Sequence, residues 1–235
     1  MKIFRFHKSF NSVVIGLAES GNFIPPEIGS TMTQQAIDYR SASRHLIPLC
    51  ECSQLRDAGL IATNVSPLVV DLTQPLPESP SDPSIASLYH QTTPDGQVVY
   101  KEAQHRVKAQ DHKLRRDTFY LPFFQKINTE LDRLVERFGA ATLLMLSHDS
   151  GLTGSKIHIA GDISENAGLA DIDIETEDPT DQPFIGQRQE SELVRTCKLT
   201  LSSDCFLENN VWSDGKARQV REVLAKVVSA LAKKE

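Results

Sequence analysis

The sequence predicts a single α/β domain whose mixed, largely parallel sheet is flanked by helices. Three observations carry this: short apolar runs alternate with stretches of helical spacing, the runs end in polar loop residues, and a long apolar stripe closes the chain. With 235 residues, 40% of them apolar, the chain can bury a core without staples, and one domain is expected over residues 1–235.

Residues 12–17 (SVVIGL) form an apolar run that enters a Gly/Pro-bearing loop. This is the pattern of a buried strand delivering a loop at its carboxyl end, where open α/β sheets place ligands. From about Thr33 the pattern becomes helical, with Ile37, Ala42 and Leu46 on one side and Pro48 as the limit. Residues 60–64 and 68–72 (LVVDL) are β-type runs. Residues 74–96 hold Pro75, Pro77, Pro80, Pro83 and Pro94 among Ser and Asp, which predicts a Pro-rich surface excursion without regular structure. Residues 101–119 are polar, basic and helical in pattern. Pro122 opens a stronger helix with Phe123, Ile127, Leu131, Leu134 and Phe138 at helical spacing and Gly139 as its stop. Residues 143–146 form a central-type strand that ends in Ser147-His148-Asp149-Ser150-Gly151, and residues 197–201 suggest another. Val220, Val223, Leu224, Val227, Val228 and Leu231 make the closing stripe, which docks a C-terminal helix on the core.

Charge and cysteine usage narrow the function classes. The balance of 25 basic against 31 acidic residues, net −6, supplies no global field toward nucleic acid or anionic lipid. No apolar run reaches the roughly 18–20 residues that span a bilayer, and charges crowd the short apolar stretch near the start, so the default compartment is cytoplasmic. Cys50, Cys52, Cys197 and Cys205 form no CxxC pair and no zinc-finger spacing. They read as buried free thiols, with a bridge between the two pairs left open. The basic group Lys101, His105, Arg106, Lys108, His112, Lys113, Arg115 and Arg116 lacks interleaved aromatics and reads as a solvated helix face, RNA phosphates being the alternative. Asp171, Asp173, Glu175, Glu177 and Asp178 read as a solvated acidic loop, since no Gly-punctuated calcium loop appears.

Several phrases, in order, resemble the N-formylglutamate amidohydrolase family, metal-dependent hydrolases related in fold to zinc carboxypeptidases and aspartoacylase. Ala18-Glu19-Ser20-Gly21 followed by Ile24-Pro25 is similar to the family's Pro-His-Ser-Gly and Ile-Pro. Asp38-Tyr39 resembles an Asp-Trp helix start, and residues 68–75 resemble Tyr-Val-Ile-Asp-Leu-Asn-Arg-Pro. Asp95-Gly96 with Tyr100, residues 120–124 against Tyr-x-Pro-Tyr-His, and residues 146–149 against Asp-x-His-Ser continue the series. The resemblance implies a phosphorylase/hydrolase-like fold, a small-molecule substrate and one divalent metal, zinc.

The departures are chemical. The family's first ligand His falls on Glu19, its substrate-clamping Arg positions on Pro67 and Gln74, its helix-start His on Phe124, and its late Glu near Thr200. Because Glu can replace His on zinc, the resemblance implies Glu19, Asp38 and His148 as metal ligands, with Asp149 or Asp71 assisting water and Ser20-Gly21 binding substrate. Each has a plainer reading: Glu19 and Asp38 as exposed residues, His148 as a satisfied core histidine, and Asp71 as the acceptor that holds the following turn. Ser150 beside His148 lacks the preceding glycine of a nucleophile elbow. Two functions follow, a diverged metal-dependent amidohydrolase acting on a small N-acyl amino acid or related amide, and a catalytically silent homologue used as a binding or regulatory module.

Overall fold

The computed structural model describes residues 2–77, 85–102, 109–160, 174–176 and 192–232. Its sheet contains β1 (Phe4–His7), β2 (Val13–Leu17), β3 (Gly59–Thr63), β4 (Ala141–Asp149), β5 (Ile157–Ala160), β6 (Ile174–Thr176) and β7 (Val194–Ser202), in the spatial order β1-β3-β2-β4-β7-β5-β6. The central pairs β3-β2, β2-β4 and β4-β7 are parallel, while β1-β3 and β5-β7 are antiparallel. The predicted architecture is therefore the observed one. Strands buried on both faces must be apolar throughout, and β2 and β3 are buried at every residue.

The helices are α1 (Pro26–Gly29), α2 (Gln34–Asp38), α3 (Leu46–Cys50), α4 (Ile85–Leu88), α5 (Ala109–Arg115), α6 (Leu121–Phe138) and α7 (Asp214–Ala232). Side-chain alternation along β2 divides the core. Val13, Ile15 and Leu17 pack with α3 and with Val220, Leu224 and Val227 of α7, whereas Val14 packs with Phe123, Ile127 and Leu131 of α6. Gly139, at φ 83°, ends α6 by returning its N–H to Val135 O at 2.8 Å, as its sequence position predicts. No helix among the described residues is long and apolar enough to cross a membrane. All four cysteines are free thiols.

Four local expectations are revised. The helix expected from Thr33 toward Pro48 is broken: Thr33 caps α2, Tyr39 leaves helical geometry at ψ 132°, and Ser41 caps a 3-10 turn, Ala42–His45, before α3. Pro48 lies in the first turn of α3, where its missing N–H costs nothing. Residues 68–72 are not a strand. Ser66 accepts Val69 N–H at its carbonyl (2.9 Å) and Leu68 N–H at its hydroxyl (3.2 Å), and the resulting turn buries Leu68, Val69, Val70 and Leu72. Their apolar composition serves burial, not a ladder.

The described part of residues 74–96 is also not wholly superficial. α4 forms there, Leu88 and Tyr89 are fully buried, and Asp71 N–H bonds Leu88 O at 3.0 Å; residues 78–84 lie outside the described residues. In the basic stretch, His112 and Arg115 are buried, against the expectation of a solvated face. Tyr89 Oη lies 2.7 Å from His112 Nδ1. Arg115 donates to Val69 O (2.8 Å) and Tyr100 Oη (3.0 Å) and sits over the Tyr89 and Tyr100 rings. Neutral acceptors and two aromatic faces thus hold this cation inside. Residues 103–108 and most of the acidic stretch 162–181 lie outside the described residues.

Candidate functional site

Parallel β2, β4 and β7 end on one edge of the sheet, and a cleft of about 310 Å³ opens there. Glu19 enters it two residues past β2, His148 from the last turn of pleat in β4, and Ser203 directly after β7. Tyr39 and Ser41 reach the cleft because α2 breaks before them, and Asp71 and His90 close it from the segment that crosses Leu88. Asp149 and Ser150 complete that rim.

Glu19 Oε1 accepts the His148 N–H at 2.7 Å, which ties the end of β2 to β4. Burial, reinforced by the neighbouring Asp71 charge, raises the Glu19 carboxyl from 4.5 to about 7, against the opposing bond from His148 N–H. The His148 imidazole places Nε2 2.7 Å from Ser203 Oγ and packs edge-on against Phe206, with ring centroids 5.9 Å apart. Burial holds it below the ordinary histidine value, so the ring is neutral at neutral pH.

Asp71 accepts Thr73 N–H (2.8 Å) and Thr73 Oγ1 (2.6 Å) on one oxygen, while the other lies 2.9 Å from His90 Nε2. It holds its turn as the plainer sequence reading expects, and it also orients an imidazole in the cleft. The buried Arg115 grips the Val69 carbonyl of the same turn from beneath. Asp149 is exposed and its Oδ1 accepts Gly151 N–H at 2.7 Å.

The other site residues named from sequence lie elsewhere. Asp38 is exposed, and both its carboxylate oxygens take Gln34 Nε2 at 3.0 Å, so it does not join Glu19 and His148. Ser20 is buried and donates to Thr63 O at 3.1 Å. Together with Gly21 it lines a separate cavity of about 620 Å³ beside Arg5, Arg44 and His45. Thr200, where the resemblance sets a late Glu, lies 2.9 Å from Ser147 Oγ.

His90 and Ser203 were not anticipated. His90 carried no sequence signal, lying in a Pro-rich stretch without periodicity. Ser203 follows a strand whose carboxyl end was a legitimate place to look.

A catalytic zinc needs three protein donors around one open position. The side chains present do not fit that requirement as arranged. Asp38 is turned to Gln34, one Glu19 oxygen holds a backbone N–H, and no three His, Cys, Asp or Glu side chains among the described residues group closely enough to hold a metal ion.

A family model for N-formylglutamate amidohydrolase matches residues 11–159, a span that includes Glu19, Asp71, His90 and His148 but stops short of Ser203. N-formylglutamate deformylase of Pseudomonas putida is 24% identical over 143 residues, 60% of this chain and 53% of that protein. The chain thus spans about half the length of this curated relative. Its fold is similar to the crystal structure of N-formylglutamate amidohydrolase from Ralstonia eutropha, with a TM-score of 0.68 at 16% identity over 98% of this chain and 97% of that one. A gene product of Agrobacterium tumefaciens gives 0.67 at 13% identity, over 98% and 95%. The family-model match over more than half of its length establishes that the chain belongs to the N-formylglutamate amidohydrolase family.

Proposed function

We propose that this chain hydrolyses the linear amide of a small N-acyl compound other than N-formylglutamate, using the cleft at the ends of β2, β4 and β7. The observation that carries the proposal is the convergence of Glu19, His148 and the Asp71–His90 pair on that one cleft. Amide hydrolysis requires a group that takes a proton from the attacking oxygen and one that returns a proton to the leaving nitrogen. A neutral imidazole serves the first need. Once protonated, that imidazole also serves the second, and the Glu19 carboxyl, raised to about 7, is a further proton source beside it. The reaction class is the one the family's name gives.

Charge selects the substrate. Glu19, Asp71 and Asp149 line the cleft, and no Lys or Arg stands among its described lining residues. An acidic acyl amino acid needs a fixed cation, best a bidentate Arg, and here would face carboxylates instead. Given N-formyl derivatives of neutral, basic and acidic amino acids at equal concentration, the chain is expected to favour neutral or basic ones at least tenfold in kcat/KM over N-formylglutamate, corresponding to about 1.4 kcal/mol. Turnover of N-formylglutamate at an ordinary enzyme rate of about 1–10³ s⁻¹ would overturn the substrate assignment.

Protein purified without chelator is expected to carry much less than one zinc per chain. Near-stoichiometric zinc by mass spectrometry would mean that the donors regroup in solution, and the acid–base reading would then give way to a metal-dependent one.

A second reading, a silent binding or regulatory module, is favoured by Thr200, which bonds Ser147 at the place of the family's late carboxylate. It predicts thermal stabilisation by N-acyl compounds with no amine released from any of them.

A further inference from the structure

We propose that Ser203 is the nucleophile of this cleft and His148 its base, so that acyl transfer passes through an ester on Ser203 Oγ. The inference rests on the reading of the cleft as an amidohydrolase-type site and specifies how it would attack. Nucleophile and base within hydrogen-bond reach are the signature of an activated hydroxyl, and Ser203 Oγ lies 2.7 Å from His148 Nε2. Both side chains line the same cleft.

The fold fixes the pair from several sides. His148 lies opposite Leu201 in the parallel β4-β7 register, so the hydroxyl two residues further on, just past the end of β7, stands beside the imidazole. A 3-10 turn, Ser203–Cys205, begins at the serine and is closed by Phe206 N–H on Ser203 O at 3.1 Å. Phe206 then packs on the imidazole, while Glu19 holds the His148 backbone. The adjacent Ser202 offers no alternative, because it is fully buried and its hydroxyl serves Gly154 O and Lys156 N. Ser150 lines the cleft without a bond to His148, so among the described serines only Ser203 meets the base.

The chemistry balances with water alone. Ser203 Oγ attacks the acyl carbon while its proton passes to Nε2, which requires the tautomer with hydrogen on Nδ1. The C–N bond breaks, the proton moves from Nε2 to the leaving nitrogen, and the amine departs. Water attacks the Ser203 ester and gives a proton to Nε2. The ester C–O bond breaks, that proton returns to Oγ, and the carboxylic acid leaves.

The test uses the whole protein with two probes, a fluorophosphonate and p-nitrophenyl acetate. Intact mass and peptide mapping are expected to show one phosphonyl group on Ser203, and the ester to release about one equivalent of p-nitrophenolate in an initial burst. His148→Ala should slow labelling about 10²-fold or more, with circular dichroism and melting confirming its fold. Labelling of another residue, or no labelling of the parent protein, overturns the proposal without recourse to any variant. Amide turnover that survives in a folded Ser203→Ala at the parent rate overturns it while leaving the amidohydrolase reading intact. Labelling at Ser203 together with no turnover of any amide supports the nucleophile and overturns the amidohydrolase reading instead.

Discussion

Replacing Glu19 with Gln is expected to stabilise the protein at pH 8 and to leave it nearly unchanged at pH 4. An unfolded Glu releases its proton near 4.5, whereas burial keeps the folded carboxyl protonated up to about 7. Between those values the folded chain binds more protons than the unfolded one, so stability falls as pH rises through this window and levels off above it. The displacement corresponds to about 3 kcal/mol. In a chain of this length that is roughly 6–10 °C in Tm. Gln keeps an oxygen to accept the His148 N–H and removes the charge that burial disfavours. The buried imidazole of His112 and the half-buried ones of His45 and His148 tilt the profile the other way, because their depressed values withdraw stability as pH falls. The difference between the two proteins therefore isolates Glu19. Parallel melting curves of parent and variant from pH 4 to 8 would refute this account.

The second large effect is steric. A Cβ added to Gly21 would lie 2.3 Å from both the Asn64 carbonyl carbon and Val65 O. Neither atom can retreat, because Phe23 N–H binds Asn64 O at 2.8 Å and Ser66 N–H binds Phe23 O at 2.9 Å, locking the two segments together. Gly21→Ala is expected to cost about 3 kcal/mol or more, seen as a lower urea midpoint with little change in slope. Gly16→Ala is the contrast. Its nearest obstacle, 2.5 Å away, is the sulfur of Met145, part of a flexible side chain that can swing aside, so the loss should be nearer 1 kcal/mol. Equal losses at the two positions would show that backbone proximity at Gly21 is not the controlling contact.

The strands that present Glu19 and His148 were legible because a strand buried on both faces must be an apolar run, and each run ends where polarity returns. Asp38 was misplaced by a detail that periodicity does not resolve. The helix stops at that residue, so its carboxylate folds back to Gln34 while the next side chain, Tyr39, turns into the cleft. The interior position of Arg115 and His112 was invisible for a different reason. Their partners are Val69, Tyr89 and Tyr100, remote in sequence and brought near only by the tertiary fold. The same holds for His90, whose role depends on Asp71, and for Ser203, whose role depends on His148. Individual groups could be read from local pattern, but their pairing could not.

The bond between Glu19 and His148 spans 129 positions of the chain, and that between His148 and Ser203 spans 55. Neither can form until β2, β4 and β7 have found their parallel register, and parallel pairing carries the entropy of closing long loops before any contact rewards it. The cleft is thus expected to assemble late in folding. A chain halted partway through that search is expected to display secondary structure and much of its core, yet not the assembled cleft, so the recovery of the cleft after dilution from denaturant would time the completion of the sheet itself.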